Sequence, residues 1–283
     1  RFARYDVRVF QDATTVVSRT LPTFYTFRRS PQTTSCFMAR IVAISNQKGG
    51  VGKTTTAVNL SAALAHRGFQ VLLVDLDPQG NASSGVGFPR SAVDVGVYET
   101  LMGEETVDAA RSSTIIRGLD VLLASRSLVG AEVELVEMPD RERCLRKALQ
   151  PVRRQYDFII LDCPPSLGLL TLNALTAADS VLIPLQAEYY AMEGLSELLR
   201  TIAVVRRKLN PDLHREGIVI TMSDHRNNLC RDVELETREI LGDEVFETVI
   251  PRNVRLGEAP SYGIPIVEYD RRSKGSRAYY GLA

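Results

Sequence analysis

Eight residues, Lys48-Gly49-Gly50-Val51-Gly52-Lys53-Thr54-Thr55, constrain this chain more than any other stretch. A loop can turn consecutive backbone N–H groups inward around phosphate oxygens only where the backbone is unusually free, and glycine supplies that freedom. Gly49, Gly50 and Gly52 give it here, with Val51 between them. Lys53 is placed to reach the β- and γ-phosphates of a nucleotide, Thr54 offers a hydroxyl to Mg²⁺, and Thr55 completes the loop. The usual pattern G-x-x-x-x-G-K-[ST] fails at its first position, where Gln47 stands, and a second cation, Lys48, follows at once. A second lysine beside a triphosphate suggests a charge that serves catalysis or a neighbouring subunit. The flanks agree with a phosphate loop. Residues 41–45 are a short apolar run that reads as a buried strand. Residues 54–66 carry Ala57, Leu60, Ala63 and Leu64 at helical spacing, with Gly68 as the stop. Strand, loop and helix in this order put phosphate at a helix N-terminus.

Strand and helix signals alternate along the rest of the chain, which implies parallel strands joined by crossover helices. Strands are expected at 71–75, 119–124, 158–162, 181–184 and 218–222, and helices at 141–150, 169–177, 192–209 and 229–241. The expected fold is α/β: one doubly wound, mostly parallel sheet flanked by helices, of the P-loop NTPase kind, with ligands beyond the carboxyl ends of the strands. The 283 residues allow one such domain with a large core. Formal charge is zero, so DNA binding would need a local patch. Cys36, Cys144, Cys163 and Cys230 lack C-x-x-C spacing, which argues against zinc or a disulfide framework and fits a reducing compartment. No apolar run approaches the roughly 20 residues that span a bilayer.

The ends depart from this pattern. Residues 1–37 are rich in Arg, Ser and Thr, poor in acids and without lysine. They are expected to be a disordered extension, either translated upstream sequence before a start at Met38 or a targeting segment. Residues 38–283 are expected to form the ATPase domain. Residues 276–283 begin like an amphipathic helix and break off, so the domain is expected to be truncated there.

Three acids fall at strand ends. Asp162 closes an apolar run, the place of an aspartate that holds Mg²⁺ directly or through water. Asp75 and Asp77 flank Leu76 and face the same way if the chain is extended there; one would contact the Mg²⁺ shell and the other would orient the attacking water. The alternative for Asp77 is a turn former before Pro78. Arg226, Arg231, Arg252, Arg255, Arg271, Arg272 and Lys274 form a second constellation. Isolated arginines are usually solvated surface, and no helix-turn-helix or stacking pattern is visible. Any DNA contact would be to phosphates, without sequence preference. His66, His214 and His225 have no ligand spacing.

Together these residues resemble the ParA/Soj-type chromosome-partitioning ATPases of the deviant Walker-A superfamily, from about Ile41 onward. The matching pieces are Asn46 to Thr55, Val74-Asp-Leu-Asp-Pro-Gln-Gly-Asn81, Leu161-Asp-Cys-Pro-Pro-Ser166, Thr171-Leu-Asn-Ala-Leu175, Gln186-Ala-Glu-Tyr-Tyr190, and Ile250-Pro-Arg-Asn-Val-Arg255 with Glu258-Ala-Pro-Ser261. The resemblance implies ATP and Mg²⁺ as ligands and a face-to-face homodimer when ATP is bound. In it Lys48 crosses to the partner's phosphates and Gly49 lies at the interface. It makes Asp77 the catalytic carboxylate, puts Pro251 and Asn253 near the adenine, and puts Arg226, Arg252 and Arg255 in or near a surface for non-specific double-stranded DNA. It further implies stimulation by a ParB-type centromere-binding protein and a cytoplasmic, nucleoid-associated location without stable membrane association. The competing reading is a MinD-type membrane-associated positioning ATPase, which needs a basic amphipathic C-terminal helix. A metabolic enzyme or iron–sulfur carrier on the same fold would need a further substrate region or paired cysteines.

Overall fold

The computed structural model describes residues 38–188 and 191–283. The expected extension at 1–37 lies outside the described residues, as do Tyr189 and Tyr190. In chain order the elements are β1 (Arg40–Ile44), α1 (Lys53–His66), β2 (Val71–Asp75), α2 (Asn81–Gly85), α3 (Val97–Met102), α4 (Val107–Ala110), β3 (Ser112–Ser113), β4 (Leu119–Leu122), α5 (Leu128–Glu134), α6 (Cys144–Leu149), β5 (Phe158–Asp162), α7 (Leu169–Ala177), β6 (Ser180–Gln186), α8 (Ala191–Lys208), β7 (His214–Thr221), α9 (Asn228–Leu241), α10 (Val254–Glu258), α11 (Ile266–Tyr269) and α12 (Lys274–Leu282).

One sheet takes the order β3-β4-β2-β5-β1-β6-β7, parallel throughout except for the antiparallel edge pair β3–β4. Its strands are apolar on both faces because helices cover both. Ile41 and Ala43 of β1 pack with Leu72, Val74, Ile159 and Leu161 on one side, over α7 and α8. Val42 and Ile44 pack with Val71, Leu73 and Ile160 on the other, under α1 and α12. Successive residues thus enter opposite cores, as the two-residue repeat of a strand requires.

α1 ends as its sequence demands. Gly68 takes φ 91°, its N–H donates to the Ala65 carbonyl, and the Phe69 N–H reaches back to Leu64, the paired bonds that close a helix through a left-handed glycine. β7 starts four residues before the expected 218. Its first half, His214, Arg215 and Glu216, lies on an exposed edge and carries no apolar alternation, so nothing in its pattern marks a strand. A bulge between Val181 and Leu182 shifts the pairing from Arg215 to Gly217, leaving Glu216 as the extra residue. β3 is two serines held only at the edge, too short to leave a signal. The expected helix at 141–150 tightens to a 3-10 turn at Arg141–Arg143 before α6 begins.

α12 is capped by Ser273, whose hydroxyl accepts the Ser276 N–H at 3.1 Å, and it buries Tyr279 against α1. The Tyr279 hydroxyl meets that of Thr56 at 3.3 Å. α1 carries the phosphate loop at its other end, so this packing anchors the loop's supporting helix. Tyr279→Ala is expected to lower the unfolding free energy by about 3–5 kcal/mol, whereas Tyr279→Phe, which keeps the ring, costs about 1 kcal/mol. Urea denaturation of the two variants checks the difference.

Candidate phosphate-binding site

The central strands end in register. Asp75 at the end of β2 is paired with Asp162 at the end of β5, and Asp162 in turn with Ile44 at the end of β1. The loop from Ser45 to Gly52 therefore begins on the row where two carboxylates emerge, at the crevice where β1 has β5 on one side and β6 on the other.

The loop has the backbone its glycines allow. Gly50 and Gly52 take φ 76° and 88°, in the left-handed region. Gly52 is the N-cap of α1, its carbonyl accepting the Thr56 N–H at 2.8 Å. The first-turn N–H groups of α1, at Lys53, Thr54 and Thr55, have no helical acceptor by geometry and favour an anion. Gly49 differs: it is exposed, has no positive φ, and a Cβ there would meet nothing within 4 Å. Neither backbone conformation nor space within the protomer calls for a glycine at that position.

Lys53 is 7 % exposed, and its ammonium donates to the Lys48 carbonyl at 2.9 Å. Burial pulls its pKa down, against the opposing pull of Asp162 and then, more weakly, of Asp77. Lys48 points elsewhere: its ammonium pairs with Glu188, just past β6, at 2.6 Å. Asn46 fixes the turn between them, its amide donating to the Pro184 carbonyl at 2.7 Å while its side-chain oxygen accepts the Lys48 N–H at 3.0 Å.

The three acids stand in different environments. Asp75 is fully buried and its oxygens are engaged: one accepts the N–H and hydroxyl of Ser83, both at 2.7 Å, and the other accepts the Asp77 N–H at 3.2 Å. Burial still pushes its pKa up to about 6. Asp77 lies beyond the end of β2 in a turn, its carboxylate accepting the Gln79 N–H at 2.9 Å. That local bond is the turn-forming role weighed against the water-orienting one. Asp162 is fully buried, and neither oxygen has a hydrogen bond of ordinary geometry, although the Thr54 hydroxyl stands near enough to favour its charge. Burial and then the neighbouring charge of Asp75 hold the Asp162 pKa well above the usual carboxylate range. A buried carboxylate with free lone pairs beside a threonine hydroxyl fits a hard cation that takes its other ligands from phosphate and water. Among the described residues no group of three His, Cys, Asp or Glu side chains makes an all-protein cage, which suits Mg²⁺ shared with a nucleotide.

β7 closes the other side of the loop. The Thr221 hydroxyl donates to the Val51 carbonyl at 2.8 Å, and Met222 follows with φ 52°, unusual for a side chain of its size. The next residue, Ser223, bridges Pro251, which brings 251–255 beside the loop's neighbour. The Asn253 side chain caps α10, accepting the Arg255 N–H at 2.8 Å. Of the arginines, the structure brings Arg226 and Arg252 together around Asp224: Arg226 binds its carboxylate with two nitrogens, at 2.9 and 2.7 Å, and both cations depress the Asp224 pKa to about 2. Arg255 pairs with Glu258 at 2.8 Å and approaches Asp270 at 3.7 Å. Sequence reasoning missed Ser83, Thr221, Met222 and the ion-pairing role of Glu188. None follows a spacing rule, since Ser83 reaches Asp75 and the others reach the loop from separate elements; Glu188 at least stood within a quoted motif.

A parallel sheet, a glycine loop opening a helix, and an unpartnered buried carboxylate at the adjacent strand end define a P-loop nucleotide-binding protein. Residues 39–215 match the family described as an AAA domain. The chain is 55 % identical over 246 residues to the sporulation initiation inhibitor protein Soj of Bacillus subtilis, covering 87 % of this chain and 97 % of that one. It is also 55 % identical over 245 residues to the chromosome partitioning protein ParA of Myxococcus xanthus, with 87 % of each covered. Among solved structures, a protein titled cobyrinic acid a,c-diamide synthase from Mycobacterium smegmatis, with bound ADP and magnesium, superposes with TM-score 0.76 at 40 % identity, over 86 % of this chain and 92 % of that one. The chain belongs to the ParA/Soj family of chromosome-partitioning ATPases.

Asp162→Asn keeps the shape and removes the buried charge. It is expected to raise the unfolding free energy of the nucleotide-free protein near neutral pH by about 1–2 kcal/mol, and to abolish the extra stabilisation that Mg²⁺ adds to ATP. Denaturation with and without Mg-ATP checks both; a loss of stability without nucleotide would mean that the carboxylate is already satisfied.

Proposed function

We propose that this chain is a nucleotide-dependent switch for DNA partitioning. ATP is held by the N–H groups of Gly49 to Thr55 and by Lys53, with Pro251 and Asn253 on the adenine side. Mg²⁺ would be held by Thr54 and Asp162, and Asp75, engaged by Ser83, stands beside Asp162 on the neighbouring strand. When bound, the metal neutralises charge on the β- and γ-phosphates. Asp77 orients water at the terminal phosphate, where positioning rather than covalent chemistry sets the rate. Two protomers close over their nucleotides, Lys48 leaves Glu188 for the partner's phosphates, and the closed pair binds double-stranded DNA through Arg226, Arg252 and Arg255. A ParB-type protein then stimulates hydrolysis, and the protein works in the cytoplasm on the nucleoid.

The observation that carries this reading is Lys48. Its charge is directed out of its own loop and rests in a surface ion pair worth about 1 kcal/mol at most, so a triphosphate presented by a second protomer can recruit it. Gly49 beside it leaves an open surface for that approach. The MinD-type alternative draws less support. The apolar face of α12, where that reading would look for a membrane-facing surface, is spent on α1.

Co-sedimentation with DNA tests the whole switch. Binding is expected with Mg-ATP and not with ADP or without nucleotide. Lys48→Ala is expected to retain ATP binding but lose dimerisation and DNA binding, and Asp77→Ala to dimerise and bind DNA without turnover. DNA binding that ignores nucleotide would overturn the proposal.

The arginines carry a further expectation. Each stands beside an acid, so a DNA phosphate must displace Asp224 or Glu258 to bind. Arg255→Ala is expected to weaken DNA binding and to flatten the plot of log affinity against log salt by up to about one unit. An unchanged slope would move the DNA surface elsewhere.

A further inference from the structure

The Val51–Gly52 peptide lies in a part of the phosphate loop where local sterics do not fix its direction. Its plane turns on ψ of Val51 and φ of Gly52, and Gly52, at φ 88°, has no Cβ to resist rotation. Gly50, at φ 76°, loosens the chain just before it. The direction matters, because the Gly52 N–H is one of the donors that a phosphate needs. It is fixed from outside the loop. The Thr221 hydroxyl, at the end of β7, donates to the Val51 carbonyl at 2.8 Å, and Thr221 is 2 % exposed. A trans peptide points its C=O and its N–H in opposite directions, and among the described residues no peptide is cis. A Val51 carbonyl turned to β7 therefore turns the Gly52 N–H away from it, toward the side of the sheet where β5 ends at Asp162. Thr221 also packs on the glycine itself: a Cβ at Gly52 would lie 3.8 Å from the Thr221 Cβ and Cγ2.

Met222 keeps that hydroxyl in place. At φ 52° it holds a left-handed conformation that residues with a side chain seldom take. The bend divides the strand end. Before it, Thr221 faces the loop. After it, Ser223 donates its N–H to the Ile250 carbonyl at 3.1 Å and accepts the Arg252 N–H at 2.9 Å. Thr221, Met222 and Ser223 therefore space the loop from the segment that carries Pro251 and Asn253. Backbone strain of this kind persists only where the surroundings over-determine it, and here both neighbours of Met222 are bonded to other elements.

We infer that Thr221 is a positioning residue for nucleotide binding. Its hydroxyl presets the Val51–Gly52 peptide, so that the Gly52 N–H is aimed at phosphate before the ligand arrives, and the bend at Met222 holds the hydroxyl there. The inference rests on the proposed function only for phosphate in the loop; it needs neither the dimer nor DNA. Thr221 acts through the loop and not on the nucleotide. Its contribution is preorganisation, since a peptide free to turn must be ordered when the ligand binds, which lowers affinity.

The test measures the affinity of the full chain for pyrophosphate and for ADP, each with Mg²⁺, by displacement of fluorescent N-methylanthraniloyl ADP. Thr221→Val keeps the shape and removes the donor. It is expected to weaken both ligands alike, by about tenfold, because the fault lies under the phosphates and not at the base. Thr221→Ser keeps the donor and is expected to recover most of that loss. Met222→Val, whose branched Cβ disfavours positive φ, is expected to weaken binding more than Met222→Gly, which takes that conformation freely. Urea denaturation of each variant separates folding from binding. A Thr221→Val protein that loses stability yet binds pyrophosphate as tightly as the wild type would overturn the inference, since the hydroxyl would then serve the fold alone. So would an equal loss in Thr221→Ser, or a greater loss in Met222→Gly than in Met222→Val, since either would assign the effect to side-chain packing. A wild-type chain that bound neither pyrophosphate nor ADP would remove the phosphate-loop reading, and the inference with it.

Discussion

Everything in this site depends on two buried carboxylates emerging side by side from the ends of β2 and β5. Parallel pairing fixes them there: once Val71 lies against Phe158, four further steps of an unbroken register bring Asp75 to Asp162. Burial drives both pKa values up, and the charge of Asp75 raises that of Asp162 further. The chain settles one of them internally, giving Asp75 the N–H and hydroxyl of Ser83. Asp162 is left with only the field of Lys53 and the Thr54 hydroxyl. The asymmetry assigns roles: the satisfied carboxylate holds α2 against the sheet, and the unsatisfied one is the better acceptor for a cation. A protein that bound no metal would gain by neutralising this residue.

Lys53 answers Asp162 from the loop. Its ammonium is buried, which disfavours its charge, while Asp162 and Asp77 restore it. Its bond to the Lys48 carbonyl keeps it over the loop rather than in water. The two lysines are therefore coupled through one peptide group: the carbonyl of Lys48 receives Lys53 while its side chain turns outward to Glu188. A phosphate in the loop competes with that carbonyl for Lys53, so the proposed binding and the proposed release of Lys48 meet at one peptide group.

The fold was legible wherever burial imposed a pattern. β2, β5 and α7 fall at the residues expected, because each lies in the double-sided core and its ends are set by turns or glycine. Legibility failed at the sheet's edges. β3 is two serines, and the first half of β7 is His-Arg-Glu, where partial exposure removes any need for apolar alternation. The site divides similarly. Residues contiguous with the loop were visible as a motif, because one backbone turn fixes them all. Ser83, Thr221 and Met222 were not, because they reach the site through tertiary packing. Asp77 shows the limit most clearly: extended spacing would align it with Asp75, but the bond from its own N–H to Asp75 ends the strand and turns it into the loop.

The arginines proposed to meet DNA show why a sequence count of cations misleads. Arg226, Arg252 and Arg255 are exposed, yet Asp224 and Glu258 hold two of them in ion pairs and Asp224 also feels the third. Exposed pairs of this kind contribute little to stability. Their effect is on selectivity, because a phosphate gains only the difference between itself and the carboxylate it displaces. In the proposed dimer two such sets of weak contacts act together, the second binding at the high effective concentration set by the first. Under the switch proposed above, the acids beside the arginines make DNA affinity depend steeply on dimerisation at the phosphate loop.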